Sequence, residues 1–185
     1  VRSLAEQAQY FAEIQELMVL GAHDLFAGYG VPVEHSLGAS AVALSGPSVM
    51  AVIGYAATTV RGALLLITSR AVAASLQPVE IRTAMPNEAT LRDVLGEFCN
   101  MLVGRIKNRL VTRGVAPLLS TPTTIFGDDL ELPVPTSGVS AWHRFSSPAG
   151  AIYVRLDATF DVDFAMTDDD GGGEPPLGEG EMRLF

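Results

Sequence analysis

The chain has 185 residues, enough for one ordinary domain with a complete core and too few for two comfortable ones. Apolar residues make up 48% of it, yet no run reaches the roughly 18 uninterrupted apolar positions of a membrane span, so no membrane partner is expected. A formal charge of -9 argues against nucleic acid, which needs clustered Lys and Arg, and the single cysteine, Cys99, excludes an internal disulfide and fits a reducing compartment. No charged segment followed by an apolar stretch and a small-residue cleavage site opens the chain, so the expected location is the cytoplasm.

In chain order, Leu4, Phe11, Ile14, Met18 and Leu25 recur at helical spacing among Glu and Gln, which predicts an amphipathic helix over residues 3–27 ended by Gly28, Gly30 and Pro32. Residues 40–69 are rich in Val, Ile, Thr and Ala, with breaks at Ser45-Gly-Pro47-Ser and Arg61-Gly62. That pattern predicts three consecutive antiparallel strands. A short helix is expected over 71–76, closed by Pro78. A long helix follows Asn87, a suitable N-cap with Glu88 in the first turn, and stops at Gly114 and Pro117.

Residues 115–138 carry four prolines and read as a long irregular connection. Two alternating runs, 140–146 and 151–164, read as strands joined by a turn at 147–150. In the second, Ile152, Val154, Leu156, Ala158 and Phe160 share one face, and Tyr153, Arg155, Asp157 and Thr159 share the other, which predicts a sheet with one wet side. From residue 167 the chain becomes an acidic Gly/Pro-rich tail, expected to be disordered and separate from a domain spanning 1–166. The fold class expected is α+β, an antiparallel sheet packed against long helices.

Most catalytic patterns are missing. The sequence has no phosphate-binding Gly-x-x-x-x-Gly-Lys, no Gly-x-Gly-x-x-Gly, no His-Glu-x-x-His and no clustered metal ligands. His23, His35 and His143 are scattered, and Cys99, with no histidine near it in sequence, reads as a buried inert thiol. What remains lies on the long helix. With Leu91, Leu95, Phe98 and Leu102 turned to the core, a rotation of about 100° per residue puts Asp93, Glu97, Asn100 and Gly104 together on another, solvated face. Arg105, Lys107, Arg109 and Arg113 follow toward the helix C-terminus, where bases complement the macrodipole.

The segment Glu97-Phe-Cys-Asn100-Met-Leu-Val-Gly104, with Leu119-Ser-Thr-Pro122-Thr-Thr-Ile-Phe-Gly127 after it, resembles the CheX branch of the CheC/CheX/FliY chemotaxis phosphatases. The order helix, three strands, long helix, two strands also resembles that family, over about residues 3–164. The resemblance implies a phosphatase for the aspartyl phosphate of a CheY-like response-regulator receiver domain. Asn100 would hold the attacking water in line with phosphorus, and Glu97 would pair with the receiver's lysine. Asp93, Gly104 and Lys107 would meet the partner.

Such a reaction needs a positioned water rather than a strong base, and an amide can donate and accept together. No cofactor of its own is expected, Mg²⁺ being carried by the receiver. A homodimer is also implied. The chain departs from the family pattern twice: Arg105 stands where a second Asn is frequent, and Glu6-Gln-Ala-Gln9 lacks the Asn of a second site on the first helix, which leaves one site. The alternatives are a non-catalytic module that binds a receiver or another signalling partner, and a structural part akin to flagellar switch components.

Overall fold

A computed structural model describes residues 4–38, 44, 46–77, 86–130 and 137–167. Residues 168–185, nearly the whole of the expected acidic tail, lie outside them. The elements in chain order are α1 (Leu4–Gly28), β1 (Glu34–Leu37), β2 (Pro47–Ala56), β3 (Val60–Ser69), α2 (Arg70–Ser75), α3 (Glu88–Val111), β4 (Leu118–Leu119), β5 (Thr123–Asp128), β6 (Val139–Ser147) and β7 (Gly150–Phe160). The fold is α+β, and among the described residues seven strands form one antiparallel sheet in the order β1-β6-β7-β3-β2, with β4 and β5 both paired to the far side of β2.

Alternation along the strands divides the sheet into two faces. Val49, Ala51 and Ile53 of β2, Leu64 and Leu66 of β3, and the even positions of β7 from Ile152 to Phe160 turn to the helices. Against them α1 buries Phe11, Ile14, Met18, Leu25 and Phe26, and α3 buries Leu91, Leu95, Phe98, Leu102 and Ile106. The helix boundaries follow from local chemistry. Gly30 at φ 66° turns the chain after α1, and the Asn87 Oδ1 accepts the Thr90 N–H at 2.8 Å to cap α3. At the other end Gly114, at φ 80°, lets the Val115 N–H reach back to the Leu110 carbonyl at 2.9 Å.

Three expectations are corrected. Of the three strands expected within 40–69 the described residues hold two, β2 and β3; β1 lies upstream and pairs with β6 at the opposite edge. Residues 39–43 and 45, where the first of the three strands was expected, are outside the described part. The stretch 115–138 is not irregular throughout, since it contains β4 and β5; Pro117 and Pro122 flank these short edge strands instead of interrupting them.

The last strand ends at Phe160, and Phe164 folds back so that its ring lies 4.7 Å from Phe160 and 5.1 Å from Tyr10. The second face of β7 is not uniformly wet. Arg155 is only 6% exposed, ion-paired with Asp157 at 3.0 Å and placed over the Trp142 ring, beside a smaller apolar cluster of Met50, Leu65 and Ile67.

Candidate functional site

α3 packs differently on each of its sides. Phe98 fixes its depth by contact with Phe26 of α1, at a ring separation of 4.9 Å, and with Tyr29 at 5.5 Å. Gly96 faces β5: a methyl group added there would sit 3.5 Å from the Thr124 Cγ2 and 3.8 Å from Pro122. This seats the Pro-Thr segment directly against the helix, one turn before Asn100. On the opposite flank the helix runs antiparallel to α1. The Arg105 Cβ lies 3.4 Å from the position of a Cβ at Gly21. Arg109 donates to the Leu17 carbonyl at 3.1 Å and to Asp24 at 2.6 Å, and Arg113 pairs with Glu13 at 3.1 Å.

Between these flanks the helix is open. Asp93, Glu97 and Asn100 are exposed, and Gly104 continues the same strip. Among the described residues, no side chain is hydrogen-bonded or ion-paired to Glu97 or Asn100. Gly104 has an ordinary helical conformation, and a Cβ there would meet nothing within 4 Å. The fold therefore has no need of glycine at a position where alanine would favour the helix by about 0.8–1.0 kcal/mol. What the glycine supplies is clearance over the exposed face, beside an acid and an amide with unused hydrogen-bonding capacity.

The sequence-predicted residues thus divide into two groups. Asp93, Glu97, Asn100 and Gly104 share one accessible strip. Lys107 lies two turns beyond Asn100, half-buried with its stem beside Val103, Leu110, Pro117 and Leu119. Arg105, Arg109 and Arg113 belong to the α1 seam, so the basic run is mostly spent inside the fold. The signal for this was present in the sequence: arginines at i, i+4 and i+8 on one helix, and acids at 13 and 24, three turns apart on another.

Cys99 is buried, and burial pushes its thiol up to about 12, so it is no nucleophile at neutral pH. Among the described residues, no cluster of three His, Cys, Asp or Glu side chains could hold a metal ion. No described helix is long and apolar enough to cross a membrane.

Sequence reasoning missed the meeting of the three histidines. His35 Nε2 lies 2.9 Å from His143 Nδ1, the rings stack at 5.2 Å, and His23 of α1 sits edge-on to His35 at 6.3 Å. Separations of 12 and 108 residues gave no local pattern to find.

Comparison with known proteins agrees with this architecture. Two CheX chemotaxis proteins, from Desulfovibrio desulfuricans and Vibrio vulnificus, superimpose with TM-scores of 0.67 and 0.68. Each is 18% identical, and each match covers 80% of this chain and 99% of the other. The CheX-CheY-BeF3-Mg²⁺ complex from Borrelia burgdorferi matches at a TM-score of 0.59 with 15% identity, over 77% of this chain and 96% of the other. No curated protein matches the sequence significantly. Residues 49–146, which run from β2 through the whole of α3 to β6, match the family model described as Chemotaxis phosphatase CheX. By that match over more than half its length, the chain belongs to the CheX family of chemotaxis phosphatases.

Proposed function

We propose that this protein accelerates hydrolysis of the aspartyl phosphate on a CheY-like receiver domain, with the outward strip of α3 laid against the receiver. The carrying observation is the pair Glu97 and Asn100, exposed together one turn apart, with no partner among the described residues and with open space over Gly104. In this reading the Asn100 amide accepts a hydrogen bond from the attacking water with its oxygen and donates from its nitrogen to the phosphoryl group. The water is thereby held on the line of attack. Glu97 supplies a carboxylate for a cation on the receiver, and a hydrogen-bonded charge pair formed at the interface fixes the register of the two proteins.

No proton need be removed before attack, because phosphoryl transfer through a loose transition state depends on alignment and charge stabilisation more than on a strong base. The receiver would bring the phosphoryl group and the Mg²⁺. Support for a receiver partner comes from the fold shared with a CheX solved together with CheY, BeF3 and Mg²⁺. Arg105 does not obstruct the reading, since it departs from the family pattern on the α1 flank and away from the open strip. Asp93 and Lys107 would touch the receiver at the two ends of the contact. A homodimer, cytoplasmic location and a separate acidic tail complete the proposal; light scattering in solution tests the first.

A binding module without catalysis is the second reading. The same fold is found at a TM-score of 0.53 in the FliM middle domain of Helicobacter pylori, so architecture alone does not decide between the two. Adding the protein to a phosphorylated receiver with Mg²⁺ and following phosphate release separates them. Faster release in proportion to added protein is expected. Complex formation with an unchanged dephosphorylation rate would establish the binding module instead.

A further inference from the structure

We propose that His35 and His143 form a proton-operated latch that fastens edge strand β1 to the sheet and to α1. The strand has four residues and, among the described residues, pairs with β6 alone. So short an edge strand is held weakly by its own ladder, and side-chain contacts decide how firmly it stays. Three are made by His35 of the strand, and a fourth ties its partner His143 to α1. His35 stacks on His143 and lies 5.1 Å from the Phe145 ring; its Nε2 shares a hydrogen bond with His143 Nδ1 at 2.9 Å; and His143 Nε2 meets the Gln15 Oε1 of α1 at 3.0 Å. At the strand's end Gly38 donates to the Trp142 carbonyl at 2.6 Å. A Cβ at Gly38 would come within 2.8 Å of the Trp142 Cβ, so the close approach requires glycine.

The hydrogen-bond chain works only while at least one of the two imidazoles is neutral. With the Gln15 oxygen accepting, a neutral His143 donates from Nε2 and accepts at Nδ1 from the His35 Nε2–H. Reversing the Gln15 amide reverses both bonds. One proton on His143 is accommodated only by a His35 that accepts at Nε2; with a proton on each ring two N–H groups are opposed, the bond between the rings is lost, and a buried and a half-buried cation face each other. Because His143 is 2% exposed, water cannot readily replace the lost partner.

The groups facing the pair are Gln15 and His23 from α1 and Phe145 beside His143 on β6. On β7, Val154 lies opposite His143 in the register. The nearby α1 acids Glu13 and Asp24 are engaged with Arg113 and Arg109, and among the described residues no carboxylate is ion-paired to either histidine. Accordingly burial, and then His35, push His143 down to about 4, while burial, and then His23, lower His35. The folded values lie below the ordinary histidine value of about 6.5, so the latch is at full strength above that pH and is lost as pH falls toward 4.

Amide hydrogen exchange of the intact protein, corrected for intrinsic rates, tests the latch without reference to phosphatase activity. Between pH 8 and pH 5 the protection of the β1 amides and of Gly38 should fall by on the order of 10-fold or more, with β3 and β7 unaffected. A His35→Gln/His143→Gln double variant, in which neither ring of the pair titrates, should lose this pH dependence. Unchanged β1 protection in the parent, or an equal fall throughout the sheet, would overturn the proposal. Since the parent is read directly, that result stands even if the variant fails to fold.

Discussion

The two sides of α3 use charged and polar residues in opposite ways. Toward α1, Arg105, Arg109 and Arg113 line a seam in which Arg109 and Arg113 meet Asp24 and Glu13 at 2.6 and 3.1 Å. Toward solvent, Glu97 and Asn100 have no partner among the described residues and stand beside a glycine that nothing crowds. Ion pairs and a backbone carbonyl engage Arg109 and Arg113, whereas the outward acid and amide are open to solvent and to another molecule. Density of charge along a helix is therefore a poor guide to its docking face. Unused hydrogen-bonding capacity next to free space is the better one.

Substitutions can break this contrast at different strengths. Phe98→Ala removes the ring that seats α3 against Phe26 and Tyr29, and should cost about 3–5 kcal/mol of folding stability in denaturant titrations, taking both sides with it. Glu97→Ala should leave unfolding unchanged and raise KM for the phosphorylated receiver about 10-fold, the loss of one charge-assisted contact. Arg109→Ala should behave in reverse. It should lose about 1 kcal/mol of stability, since its ion pair is half-exposed and its second bond is to a carbonyl, with turnover by the folded protein unchanged. Smallest is Gly104→Ala, which should gain about 0.8 kcal/mol in thermal or chemical unfolding. Gly104→Leu should stay folded but show weaker receiver binding, and equal binding by both variants would show that the clearance is unused.

Helical periodicity made much of the site legible. Leu91, Leu95, Phe98 and Leu102 defined the buried stripe, and the positions of Glu97 and Asn100 followed from it. Asn87 and Gly114 marked the helix ends because capping and a left-handed turn restrict residue choice. The seating of Pro122 and Thr124 beside Gly96 was not legible. β5 is an edge strand entered through proline, and its register partners in β2 lie 71 to 81 residues earlier, a distance at which periodicity carries no signal. The histidine cluster was hidden for the same reason. The face of β7 bearing Arg155 misled because a charged residue reads as solvated, whereas here an aromatic ring and Asp157 cover it.

The role proposed for Asn100 is to position the water that attacks the receiver's phosphoryl group. Single-turnover phosphate release from a phosphorylated CheY-like receiver with Mg²⁺, at saturating protein, comparing the parent with Asn100→Ala, tests that role. A loss on the order of 100-fold, about 2.7 kcal/mol of barrier, is expected, with receiver binding and unfolding unchanged because the side chain is exposed. Release by Asn100→Ala at the parent rate would contradict it.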